Sequence, residues 1–217
     1  MFFQFLIEDQ SGEKLIRALM DKIVEGNPET NYDCKSFKGI GGFKHRGSPM
    51  EIKTGKLLDD LGLYLSAFDR ALQGMPAAIV IVLDNDNRDT AEFTELLEQV
   101  ARRNKIEIDH VFCLAIEEME AWLLGDEAAI LAAYPEASLR HLRTYVQNSI
   151  CSTWEVLADV VYPGGYKRMQ KDCCAYGQIG KIKSEWAERI GKHMEMQRNQ
   201  SPSFRRFVSE LEKRMTY

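Results

Sequence analysis

Three strand-length apolar runs and one more polar run alternate with longer amphipathic stretches through the first half of the chain. Residues 79–83 (IVIVL) are five consecutive aliphatic side chains, the pattern of a strand buried on both faces of a parallel sheet. Residues 2–7 (FFQFLI) and 111–116 (VFCLAI) read as further strands, and residues 31–37 as a more polar strand nearer an edge. Between them run stripes of helical period: Leu15, Ile16, Leu19, Met20, Ile23 and Val24, stopped by Gly26-Asn27-Pro28. A second stripe is Ile52, Leu57, Leu58, Leu61, Tyr64, Leu65, Phe68 and Leu72, opened by Pro49 and Glu51. A third is Ala91, Leu96, Leu97, Val100 and Ala101, capped by Asp89 or Thr90, while Ser11 is the expected cap of the first. The order β-α-β-α-β-α-β predicts an α/β fold: a mostly parallel sheet with helices on both faces.

Beyond Gly125 the strand pattern disappears. Helices are expected over residues 127–134, 138–146, 154–161 and 181–193, and a last one opens at Ser201-Pro202 with Phe204, Phe207, Val208, Leu211 and Met215 on its stripe. The expected organisation is an α/β core over residues 1–125 and a mainly helical, basic extension over 126–217 packed on it. Residues 162–168 (YPGGYKR) read as a turn leading into a small basic patch.

Charge sharpens this division. Residues 1–137 carry 14 Lys+Arg against 25 Asp+Glu, whereas residues 138–217 carry 14 against 8. An acidic half suited to cations joined to a basic half suited to a polyanion is one reading; chance or solubility is the other. The five cysteines form no C-x-x-C pair. The apolar start is too short to span a membrane and lacks a basic flank, so a reducing cytoplasm is the expected location.

The candidate chemistry lies where strands end. In a parallel sheet of this kind the site sits outside the carboxyl ends of the strands. Glu8 follows the first strand, and Asp84 and Asp86 follow the central one at a spacing that, on extended backbone, points both carboxylates the same way. Carboxylates gathered there suit Mg²⁺ or Mn²⁺, and the absence of Cys/His ligand spacing argues against zinc. If residues 116–124 form a helix, Glu120 falls within its apolar arc, Glu117 at the margin and Glu118 on the solvated side. Glu120 is then a cation ligand or the partner of a nearby Lys or Arg, with Glu117 the second choice as ligand. The loop over residues 38–48 (KGIGGFKHRGS) is either a phosphate cradle or a surface loop, and it lacks the lysine of a Walker A motif. Lys14, Arg88, Lys44 and Arg46 are the candidates to offset phosphate charge. No G-x-S-x-G occurs, and the four histidines form no ligand pair. Together these residues suggest a metal-dependent phosphodiesterase with Glu8, Asp84 and Asp86 as its centre. The competing reading is a non-catalytic subunit that binds an ATPase partner or nucleic acid through its basic helical half.

A glutamate after the first strand and Asp-x-Asp after the third resemble the pattern of the TOPRIM superfamily. More closely, FLIEDQSGEKLIRAL, IVIVLDNDN, AIEEMEAWLL and the terminal SPSFRRF look like a group of uncharacterised bacterial TOPRIM-like proteins. That group is related to the nuclease half of the OLD (overcoming lysogenisation defect) family. The resemblance implies a Mg²⁺- or Mn²⁺-dependent nuclease acting on DNA or RNA, often encoded beside an ATPase partner in mobile or defence loci. Two departures stand out. Asp9 replaces the glycine that often follows the first glutamate, and Asn87-Arg88 follows Asp86. A third acidic ligand would therefore have to come from Asp89, Glu117 or Glu120.

Overall fold

A computed structural model describes residues 1–42, 56–173, 175 and 177–215. Its four strands are β1 (Phe2–Ile7), β2 (Asn31–Ser36), β3 (Ala77–Asp84) and β4 (Asp109–Ala115). They form one parallel sheet in the order β2-β1-β3-β4. As the pattern of the sequence predicts, the apolar β3 takes an inner position and the polar β2 an edge, and β1 takes the other inner position. Strand alternation splits the interior in two. Phe3, Phe5, Ile7, Val80 and Val82 face one core, while Leu6, Ile79, Ile81 and Leu83 face the other.

Helices α2 (Leu57–Ala71) and α3 (Thr90–Arg103) cover the second face. Helix α1 (Gln10–Gly26) covers the first, together with the extension: α4 (Glu120–Leu123), α5 (Glu127–Ala133), α6 (Leu139–Leu142), α7 (Thr153–Val161), α8 (Gly165–Asp172), α9 (Gln178–Gly191) and α10 (Pro202–Met215). No helix among the described residues is long and apolar enough to cross a membrane.

Several local expectations change. Asp9, not Ser11, caps α1: its carboxylate accepts from the Gly12 N–H at 2.8 Å and from the Ser11 hydroxyl, which already lies within the first turn. Leu96, expected on the apolar stripe of α3, is exposed. Only four residues of the stretch 138–146 are helical, as α6. After the 162–165 turn, where Gly164 and Gly165 both take positive φ, the basic patch is a helix of its own, α8, in which Arg168 pairs with Asp172. Pro49, Glu51 and Ile52 lie outside the described residues.

The EMEAW and SPSF blocks prove to be the two halves of one clasp. Trp122 stacks on Phe207, with ring centres 4.9 Å apart, and meets Phe204 edge-on. Its indole N–H donates to Ser203 Oγ at 3.0 Å, and its carbonyl accepts from the Asn199 side chain at 2.7 Å. Beside it the Gln200 N–H donates to the Gly125 carbonyl at 2.7 Å. A Cβ on Gly125 would stand 2.1 Å from Asn199 Oδ1, so this crossing requires glycine. Asp126, fully buried, accepts two bonds from the Arg198 guanidinium at 2.7 and 3.0 Å.

Candidate active site at the carboxyl edge of the sheet

Parallel pairing brings the ends of β1, β3 and β4 to one edge, and the acidic residues follow. Asp84 is the last residue of β3, opposite Ala115 of β4. Glu8 lies one residue past β1, and its Oε2 accepts from the Asp84 N–H at 3.0 Å, so the first two carboxylates are adjacent. Burial, opposed by that N–H and reinforced by Asp9 and Asp86, pushes the Glu8 pKa up to about 7. Burial and the charges of Glu8 and Glu120 raise Asp84 well above the usual carboxylate range.

Glu120 completes the group from α4. It is 2% exposed. Its Oε1 meets the Lys183 ammonium at 3.2 Å, and its Oε2 has no hydrogen-bond partner. Burial, opposed by Lys183, pushes its pKa up to about 7. Burial works against the Lys183 ammonium as well, but Glu120, Glu118, Asp84 and Asp9 outweigh it and raise its pKa. The salt-bridge alternative for Glu120 therefore holds for one oxygen and leaves the other open.

Lys183 was missed by the motif reading, although its signal was present. It stands on the stripe Ile179, Ile182, Trp186, Ala187 and Ile190 of α9, a charge on an apolar face like Glu120.

Asp86 is placed differently from the extended-backbone expectation. The strand ends at Asp84, Asn85 is buried, and Asp86 turns into the left-handed region at φ +49°. Its N–H donates to the Glu117 carbonyl at 2.8 Å, and its carboxylate pairs with Arg88, whose guanidinium lies over the Phe93 ring. Arg88 is thus committed to Asp86. Lys14, on α1, is exposed and pairs with Glu188 at 3.3 Å. Lys44 and Arg46 lie outside the described residues.

Residues 116–119 are not helical, and this reassigns two glutamates. Glu117 has φ +62°, and its carboxylate accepts from the N–H groups of Cys151, Ser152 and Thr153 at 3.0, 2.6 and 3.0 Å. It closes the N-terminus of α7 and points away from the ligand role considered for it. Glu118, expected on a solvated face, instead accepts from Thr153 Oγ1 and the Trp154 N–H and lies 3.7 Å from Lys183.

The carboxylate oxygens of Glu8, Asp84 and Glu120 suit a hard divalent cation, and the open Glu120 oxygen is a free donor. Among the described residues, however, no three His, Cys, Asp or Glu side chains are grouped so as to hold a metal ion as they stand.

A four-stranded parallel α/β sheet, an acidic carboxyl edge and a helical extension that sends a lysine into that edge define the class of protein. The chain belongs to the DUF4276 family, a domain of unknown function, whose family model matches residues 7–212. No curated protein and no solved structure matches it.

Proposed function

We propose that this protein is a divalent-cation-dependent phosphodiesterase acting on nucleic acid, with its site at the carboxyl edge. One observation carries the reading. The Asp84 carboxyl is repelled by both Glu8 and Glu120 at a largely buried edge that holds one lysine, and a buried Glu120 oxygen has no partner. Such an arrangement is costly without a further cation. Glu8, Asp84 and Glu120 would hold Mg²⁺ or Mn²⁺, and Asp86 would join them on leaving Arg88. When bound, the ion supplies an acidified water and offsets phosphoryl charge. Lys183 keeps Glu120 in place from the extension, and the Asp84 N–H orients Glu8. The TOPRIM-like reading of the fold belongs to this proposal, supported by the adjacency of Glu8 and Asp84. So does an ATPase encoded nearby as partner.

A second reading is favoured by the pairing of Glu120 with Lys183 and of Asp86 with Arg88. With its own cations in place, the edge would be inert and the protein a binding subunit. Incubation of plasmid, linear DNA, single-stranded DNA and RNA with Mg²⁺ or Mn²⁺ separates the two. Cleavage by the wild type, lost in Asp84→Ala/Asp86→Ala, supports the enzyme. No cleavage by either, with no rise in melting temperature on adding metal, supports the subunit.

A further inference from the structure

A large groove opens beside the carboxylate edge. It has a volume of about 1120 Å³ and lies between the start of α1, the end of β2 and the first turns of α9. Helices α1 and α9 run in the same direction: Lys14 meets Glu188, and the Lys22 ammonium donates to the carbonyls of Gly191 and Met194. Because α1 begins just past β1, the N-terminal turns of α9 project over the carboxyl edge, where Lys183 reaches Glu120. Asp9, the neighbour of Glu8, lines the groove, and its carboxylate is the cap of α1.

Its charges are unevenly committed. Glu13 is bound by Arg17 and Ser36, Glu185 by Arg189, and Glu188 by Lys14 and Lys192. Lys38 and Lys181, one from each wall, are exposed and make no ion pair among the described residues. Gly39, Gly177 and Gly180 line the same groove, and a Cβ on any of them would meet nothing within 4 Å. Bare backbone and unpaired ammonium groups are what a phosphodiester backbone needs for close approach. One wall is the start of α1 with the residues just past β2, and the other is the first turns of α9. A flexible single strand follows a walled groove of this kind more readily than duplex DNA, which is stiff over about 150 base pairs.

We infer that the α1–α9 groove binds single-stranded nucleic acid, with Lys38 and Lys181 on its phosphates, and leads the strand to the carboxylate edge. This rests on the phosphodiesterase reading for its purpose, but its test does not require turnover. Binding of a labelled oligothymidylate of about 20 nucleotides is measured by anisotropy with the full chain in EDTA, across a salt series, beside a duplex of equal length. Lys38→Glu/Lys181→Glu is expected to weaken single-strand binding at least tenfold and to lower the salt slope by about 1.4. Arg140→Glu/Lys167→Glu makes the same charge change on exposed residues that do not line the groove, and is expected to weaken binding less than about threefold. Lys38→Gln/Lys181→Gln, a milder change, moves the same way and serves if charge reversal disturbs folding.

Equal effects of the two charge reversals, tighter binding of the duplex, or no binding by the wild type overturns the inference. Groove-dependent binding without metal-dependent cleavage leaves this inference standing and removes the reaction. Cleavage with binding insensitive to the groove variants does the reverse.

Discussion

At the residue scale the account turns on charge. Glu8 has an unfolded-state pKa near 4.5 and a folded one of about 7. The folded chain therefore holds a proton that the unfolded chain releases. The stability this contributes is complete below about pH 4.5 and is lost as the pH rises through 7. Glu120 behaves in the same sense. Glu8→Gln, whose amide oxygen still accepts from the Asp84 N–H, is expected to flatten the fall in stability between these pH values. By pH 8 it should be more stable than the wild type by on the order of 2 kcal/mol. Chemical denaturation as a function of pH measures this directly, and an unchanged pH profile would remove Glu8 from the repelling group.

At the scale of elements, the fold's strands and first helix were legible because their periods are clean. The runs in β1 and β3 are buried almost throughout, and the stripe of α1 keeps one period from Leu15 to Ile23. In α3, by contrast, the buried set is Phe93, Leu97 and Ala101, and the expected Ala91 and Leu96 are exposed. The acidic segment after β4 was not legible in the same way. A helical wheel over residues 116–124 assumes a helix, and Glu117 at φ +62° breaks it before α4 begins. The wheel located Glu120, which does lie in the helix, and misplaced Glu118, which does not. Likewise the spacing of Asp84 and Asp86 suggests one side only while the strand continues, and the bridge from Asp86 to Glu117 ends it.

Glu117 then acts as the cap of α7. Glu117→Ala frees three N–H groups and is expected to cost about 1–2 kcal/mol, with faster amide exchange at Cys151, Ser152 and Thr153. Glu117→Gln, which keeps one acceptor oxygen, should recover part of that protection. Were Glu117 a cation ligand instead, the two variants would lose metal affinity alike and leave α7 unchanged.

On the scale of the whole molecule, the acidic and basic halves are complementary to each other. Lys183 reaches Glu118 and Glu120, Arg198 holds Asp126, Arg143 reaches Glu127 and Arg214 pairs with Asp109. Much of the asymmetry that suggested a polyanion partner is spent inside the chain, and the free positive charge narrows to places such as Lys38 and Lys181. The clasp through Gly125 joins the halves sterically as well. Gly125→Ala drives a methyl group into Asn199 and is expected to destabilise the fold by about 3 kcal/mol or more, read as a lower melting temperature. A change of less than a degree would show that the clasp yields.

Cation binding at the carboxyl edge is tested most directly by titrating the full chain with Mn²⁺ in a calorimeter, wild type beside Asp84→Asn. The expected result is saturable binding by the wild type, reduced at least tenfold in Asp84→Asn, with a melting temperature that rises with Mn²⁺ in the wild type alone. Failure of the wild type to bind, or equal binding by the variant, would contradict a cation site at Glu8, Asp84 and Glu120.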